Sequence, residues 1–576
     1  MKKILSLLAV AIGLAACDLN LVPQDAISPE TFFKTENDLL LYTNSFYNAL
    51  PSAEDVYNED VDNVVKNSLR DELQGTRVVP TSGGGWSWTP LRNINYFLAN
   101  SAKCPDAKAV AKYNGLARFF RAYFYFGMVK RFGDVPWYSK TIEVSDQDML
   151  TKARDPRTMV MDSVMADIDY AIAYLDGSRQ VNTITKWTAL ALKSRMALYE
   201  GTFRKYHPEF NLPGADKFLD ECIAASENLM TNSGYTIYKA TPATAYGKLF
   251  SSDNAIPDEV ILARDFSDEL QVYHNLNYYT MTASYGKPGL EKKLVNSYLM
   301  ADGSRFTDIK GYETMQFYEE VQNRDPRLSQ TIRTPGYTRI GETAQLTSEF
   351  GATVTGYQLI KFVSAPKWDT FSKDITDMPI FRYAEVLLNF AEAKAERGTL
   401  TQADLDRSTK LTRDRVGMPN INLTTANANP DPYQAQQYTQ LSGSNTGVIL
   451  EIRRERRVEL VMENFFRWDD IIRWKEGQLL TKTFKGMYFP GPGNYDLDKN
   501  GKIDLVIYEG TKPAVAGAQF LKLGSEILLE NGNKGGNIVV NGHINKKFNE
   551  ARDYLYPIPT QERLLNPKLT QNPNWE

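Results

Sequence analysis

The chain has 576 residues, of which 42% are hydrophobic, 24% charged and 12% aromatic. This is a globular composition on a chain too long for one ordinary core, which excludes disordered, collagen-like and disulfide-stapled classes. The 66 Lys and Arg against 70 Asp and Glu leave a net charge of −4, so no bulk field exists to hold a phosphate backbone and nucleic acid is not an expected partner.

Mean hydropathy is −0.41, and the only long apolar run lies at the start, which excludes a multi-pass membrane protein. Residues 1–16 combine Lys2 and Lys3, an apolar stretch Ile4–Leu14 and small residues, the pattern of a secretory signal. Leu14-Ala15-Ala16-Cys17 has the form of a bacterial lipobox, which predicts acylation of Cys17 and a lipid-anchored tether over 17–28. The rest, 29–576, is expected to form a single body. Cys104 and Cys222 allow at most one disulfide, and His207, His274 and His543 lack the paired spacing of a zinc site.

Helical signals begin with Ser28-Pro29-Glu30, a cap followed by proline at the first helical position. From Tyr113 to Phe132, the residues Tyr113, Leu116, Phe120, Phe124 and Met128 fall at steps of three or four and share one face. Gly115, Ala117, Ala122 and Gly127 lie among them, and small residues beside large ones let neighbouring helices approach closely. The stretch from Thr183 to Phe203, with Gly201, repeats the pattern, and Phe218 to Met230 has the form of its antiparallel partner. Phe381–Arg397 and Gln402–Val416 make a further pair, closed by Gly398 and Gly417. The expected fold is therefore mostly α, a scaffold of helical hairpins mainly over 29–230 and 380–480, spaced like tetratricopeptide units but too degenerate for periodicity alone to establish the repeat. Irregular, loop-rich parts are expected mainly over 233–380, 417–448 and 480–550.

Two local patterns invite other readings. Glu451, Glu455, Glu459 and Glu463 recur every four residues among arginines, which predicts a structural helix satisfying its charges internally rather than a nucleic-acid patch. Asp496, Asp498, Asn500 and Asp504, with Gly501 at the sixth position, follow the opening of a calcium loop, but Ile507 stands where the bidentate glutamate belongs. A structural Ca²⁺ and an Asx-rich hairpin turn both fit these residues. No other cofactor is expected, and no catalytic motif appears.

Three blocks together resemble the SusD/RagB family of outer-membrane nutrient-binding lipoproteins. They are Cys17-Asp18-Leu19-Asn20 with Pro23–Ser28 and Phe32–Glu36; Arg453–Leu460 continuing through Glu463, Arg467–Asp470 and Arg473-Trp474; and Tyr556–Pro559 with Gln571–Trp575. Weaker agreements lie between them, at Leu91–Asn95, Arg131–Pro136 and Leu294–Tyr298. The resemblance implies a SusD-like helical fold with four tetratricopeptide-like units under an irregular ligand face. It also implies lipid anchorage to the outer membrane, exposure at the cell surface and a SusC-like TonB-dependent transporter as partner. The ligand it implies is an oligosaccharide or polysaccharide fragment, with oligopeptide as the alternative; no catalysis is implied, and a glycoside hydrolase is the remote competitor.

Sugars offer C–H faces and many hydroxyls, so a site needs accessible rings beside amide, carboxylate or guanidinium groups. Trp86 and Trp88, after Gly83-Gly84-Gly85, are the first candidates, with Asp71 and Arg77 upstream because the resemblance places the loop before this helix on the ligand face. Tyr278, Tyr279 and Tyr285 form a second aromatic group, and Trp368 is a third candidate.

Overall fold

A computed structural model describes residues 32–57 and 59–576; the signal sequence, Cys17 and the tether lie outside the described residues. The scaffold begins with α1 (Glu36–Asn44), α2 (Thr89–Asn100), α3 (Ala107–Phe132), α4 (Arg157–Tyr174), α5 (Lys186–Tyr206) and α6 (Ala215–Asn232). It resumes with α7 (Tyr383–Glu396), α8 (Thr409–Arg415), α9 (Thr446–Glu459) and α10 (Phe466–Arg473). Each helix packs on its neighbours in a row: α3 on α2 and α4, α5 on α4 and α6, α6 on α7, and α7 on α9. The row therefore continues from α6 to α7 across the irregular residues between them.

Local chemistry sets the ends of these helices. Asp106 caps α3 by accepting the N–H groups of Lys108 and Ala109, and the helix stops at Gly133, whose φ of +73° suits glycine. Its Tyr113, Leu116, Phe120 and Met128 are buried together as their spacing predicts. The close crossing of α5 and α6 depends on Gly201: a Cβ there would stand 2.9 Å from Leu219 Cγ and 3.0 Å from the Leu219 backbone nitrogen. Cys104 and Cys222 are both buried free thiols.

The strands lie over this scaffold in small sheets. β1 (Val260–Arg264) pairs antiparallel with β2 (Met378–Arg382) through a bulged register. β3 (Phe484–Phe489) pairs with β7 (Gly536–Val540), and β5 (Leu505–Tyr508) lies between β4 (Gly493–Tyr495) and β6 (Gln519–Lys522).

The Arg/Glu run departs from its sequence reading. It forms α9, which is buried nearly all round, and apart from Glu451 with Arg454 at 3.0 Å its charges are met by other segments. Glu455 accepts from Arg327 at 2.5 Å and Arg413 at 2.8 Å. Glu459 accepts from Arg327 at 3.0 Å, Arg382 at 2.6 Å and Arg415. Arg382 also binds Glu463 and Glu259, and Lys361 binds Glu463 at 2.7 Å. Periodicity along one helix shows where like residues recur, but burial decides whether neighbours on that helix or distant chain answers them. Here α9 is a charged axle at the centre of the fold.

The C-terminal tail docks as an extended segment ending in a short helix, Thr560–Leu565. Tyr556 N–H donates to Arg131 O at 2.7 Å, and buried Trp575 donates its indole N–H to Leu555 O at 3.0 Å.

Candidate functional site

The glycine triplet explains how the tryptophan loop is held. Gly83, Gly84 and Gly85 all take positive φ, and a Cβ on Gly85 would stand 2.7 Å from Arg131 Nε. Arg131 Nε donates to Gly84 O at 2.7 Å while its guanidinium lies 3.7 Å over the Tyr556 ring. The loop thus wraps a side chain fixed by the C-terminal tail, a path open only to residues without a Cβ. It delivers Trp86 into the core and Trp88 to the first turn of α2, where Trp88 O accepts Arg92 N–H at 2.9 Å.

Trp86 is 6% exposed, packed edge-on against Phe132 at 4.9 Å and Trp88 at 5.3 Å. It is therefore mainly a wedge behind Trp88 and not the open platform expected of a stacking ring. Trp88 is half-buried and meets Phe124, Tyr125 and Tyr138. The two tryptophans line a cleft of about 580 Å³. One wall is α2 with Arg92 and Asn95, another is the strap 138–142, and the third is the tail helix with Glu562, Leu565 and Asn566.

The strap is fastened to α2. Asn95 Nδ2 donates to Tyr138 O at 2.9 Å and Lys140 O at 3.2 Å, and Arg92 Nη1 donates to Ile142 O at 2.8 Å. Behind them, Arg121 donates to Asn95 Oδ1 while its other edge grips Asp167 at 2.6 and 2.7 Å. Tyr138 is held by its N–H donating to Tyr125 Oη at 2.6 Å, and its phenol donates to Met149 O. Burial, with a contribution from Asp155, pushes the Tyr138 phenol up to about 12, so it stays a neutral donor throughout the physiological range.

The other expected ligand residues lie elsewhere. Asp71 opens the helical turn Asp71–Gln74 and accepts the Thr76 hydroxyl at 3.0 Å. Arg77 is buried against the tail, paired with Asp553 at 3.1 Å and stacked over Tyr556 and Trp575. Neither lines the Trp88 cleft. Tyr278, Tyr279 and Tyr285 do cluster: Tyr279 and Tyr285 stand 4.0 Å apart, and Tyr278 meets Tyr285 at 5.8 Å and the half-exposed Phe371 at 5.5 Å. Trp368 belongs to the strap crossing this group, where its neighbour Asp369 accepts from Asn277 at 2.8 Å and from Arg339 at 2.6 and 2.9 Å. Its own indole N–H is taken by Asp253 at 3.2 Å. This second patch is aromatic, with Phe371 half-exposed at its edge. The cleft between Phe350, Phe520 and His543, about 700 Å³, has neither Trp nor Tyr among its described lining residues.

Sequence reading missed Tyr138, Lys140, Glu562 and Asn566, which reach the cleft from segments distant in the chain. Tyr138 carried a signal, since Trp137-Tyr138 is an aromatic doublet directly after Arg131–Pro136. Glu562 and Asn566 had none pointing to this loop.

The loop 496–504 joins β4 to β5 as a hairpin. Carboxylate oxygens of Asp496, Asp498 and Asp504 lie within 4.8 Å of one another, an arrangement of hard donors suited in charge to a cation such as calcium. Asp496 also accepts Gly501 N–H at 2.7 Å, Asp504 accepts Leu497 N–H at 2.7 Å, and Asn500 donates its side-chain amide to Asp498 at 3.0 Å, so the same groups build an Asx turn. Ile507 is buried in β5 and supplies no ligand.

Stacked helical hairpins beneath an irregular, cleft-bearing layer define the class, a helical SusD-like scaffold. The chain belongs to the SusD family: that family's model matches residues 258–575, and a second model, described as "Starch-binding associating with outer membrane", matches residues 43–199. Among relatives, SusD-like protein P38 of Formosa agariphila is 25% identical over 503 residues, covering 81% of this chain and 90% of the relative. A SusD-like protein of Bacteroides fragilis superposes with a TM-score of 0.69 at 20% identity, covering 96% of this chain and 99% of the other. A protein from the same organism described as SusD-like and carbohydrate-binding gives 0.68 at 20% identity, covering 94% and 100%. At these identities the structures share a fold. Among the described residues no helix is long and apolar enough to cross a membrane.

Proposed function

We propose that this protein is a non-catalytic, lipid-anchored glycan receptor of the outer cell surface, which captures oligosaccharides at the Trp88 cleft and passes them to a TonB-dependent outer-membrane transporter. The observation that carries the reading is the half-buried Trp88 indole, backed by Trp86 and Tyr138, in a cleft whose other walls mix amide, hydroxyl, cationic and carboxylate groups with the apolar Leu91, Ile142, Leu150 and Leu565. An aromatic face covers the C–H surface of a pyranose, while Gln147 and Thr141 offer partners for its hydroxyls at the edge. Because α2, the strap and the tail are bolted together, little ordering is needed on binding. Family membership and the lipobox cysteine support the membrane placement and the transporter partner.

Binding without hydrolysis suits the same walls. Glycoside cleavage uses two carboxyl groups across the scissile bond, and Glu562 is the single carboxylate among the described residues lining this cleft.

Affinity electrophoresis against immobilised polysaccharides tests the reading. The Trp88→Ala variant is expected to lose about tenfold or more in affinity, about 1.4 kcal/mol, with its melting transition retained. Glycan binding unchanged by that substitution, or co-purified peptides as the bound material in mass spectrometry, would overturn it.

A further inference from the structure

Three scaffold cations show the ordinary arrangement, each with an acid partner. Arg121 holds Asp167 at 2.6 Å, Lys152 holds Asp155 at 2.5 Å, and Lys130 holds Asp469 at 2.5 Å. The two cations that line the cleft do not. Arg92 and Lys140 are exposed, and neither has a carboxylate within 4 Å among the described residues. Asp146, on the loop following the strap, accepts Glu143 N–H at 3.1 Å instead.

Arg92 is also oriented. One Nη1 hydrogen is fixed on Ile142 O, which leaves the Nε and Nη2 edge without an acceptor among the described residues. That edge matches two oxygens of a carboxylate or a sulfate. Lys140 is positioned by Asn95, which pins its carbonyl and so holds the ammonium-bearing residue at the rim. Glu562, on the tail-helix wall, contributes one negative charge against these two positive ones.

Resting on the glycan reading above, we propose that the cleft selects saccharides carrying an anionic group, a uronate carboxylate or a sulfate ester, which pairs with Arg92 and Lys140 while a sugar ring lies against Trp88. Glu562 then accepts from hydroxyls on the far side of the chain and disfavours ligands charged at both edges.

Calorimetry on the mature full-length chain tests this with oligogalacturonides and sulfated galactan oligosaccharides against neutral malto-, xylo- and manno-oligosaccharides. At least one anionic series is expected to bind tenfold or more tightly than every neutral one, and to weaken as salt is raised. The series that binds distinguishes carboxylate from sulfate. The doubly substituted Arg92→Gln, Lys140→Gln chain is expected to lose that preference while still folding, its melting temperature lowered only by loss of the Arg92–Ile142 hydrogen bond. Neutral oligosaccharides binding equally well, with Trp88→Ala still weakening them, would overturn the anionic selection and leave the cleft reading intact. Anionic binding unaffected by the double substitution would also overturn it. Absence of any Trp88-dependent saccharide binding would overturn both.

Discussion

The Glu459→Gln variant is expected to lose about 3–5 kcal/mol of folding stability, the cost of removing one partner from a buried ion pair. The side chain keeps its shape and loses its charge, leaving Arg327, Arg382 and Arg415 facing one another with fewer negative partners in an interior that excludes water. Acid should act on the same network. Burial alone would raise the Glu455 carboxyl, but Arg327 and Arg413 beside it hold it down at about 2. Glu392 is likewise held at about 2 against its burial, by Arg473, Arg456 and Arg453. A depressed carboxylate contributes stability that is complete above its unfolded value, about 4.3, and is lost as pH falls toward the folded value. Urea midpoints should therefore drop steeply between about pH 4.5 and pH 2 in the wild-type chain, and less steeply in the variant. A loss below about 1 kcal/mol would show that the axle is not a stability element.

The second large effect concerns anchorage. Cys17→Ser is expected to move the protein from the outer-membrane fraction to the soluble fraction of cells. Each buried acyl methylene contributes about 0.8 kcal/mol, so a cysteine carrying several chains is held stably, whereas one chain alone binds marginally. Among the described residues no helix is long and apolar enough to cross a membrane, and the proposed function places the anchor on Cys17. Radiolabelled palmitate in the wild type and its absence from the variant checks the chemistry, and fractionation checks the consequence. A variant that stays with the membrane would contradict the lipid tether.

Scaffold features that depend on near neighbours were legible. The face of α3 from Tyr113 to Met128, its stop at Gly133 and the small residue at Gly201 follow from periodicity, turn chemistry and side-chain size, all local properties. The charge pattern of α9 was equally visible, but its partners Arg327, Arg382 and Arg415 belong to other segments, so spacing alone assigned its ion pairs to the wrong chain neighbours. The site shows the same division. Trp86 and Trp88 marked the loop that borders the candidate cleft. Which indole faces outward depends on Phe132 and the docked tail, because Phe132 backs Trp86 while Arg131, stacked on Tyr556, holds the loop. Arg77 attracted a ligand role through family resemblance, yet Asp553 and Trp575 meet it from the far end of the chain. Such long-range closure is set by the packed fold and leaves no trace in a local window.

A crystal structure of the mature chain soaked with the tightest-binding oligosaccharide from the panel tests the central claim most directly. The account predicts a sugar ring against the Trp88 indole, bounded by Arg92, Tyr138 and Glu562. A ligand seated instead on the Tyr278–Phe371 patch, or in the cleft beside Phe350, would contradict it.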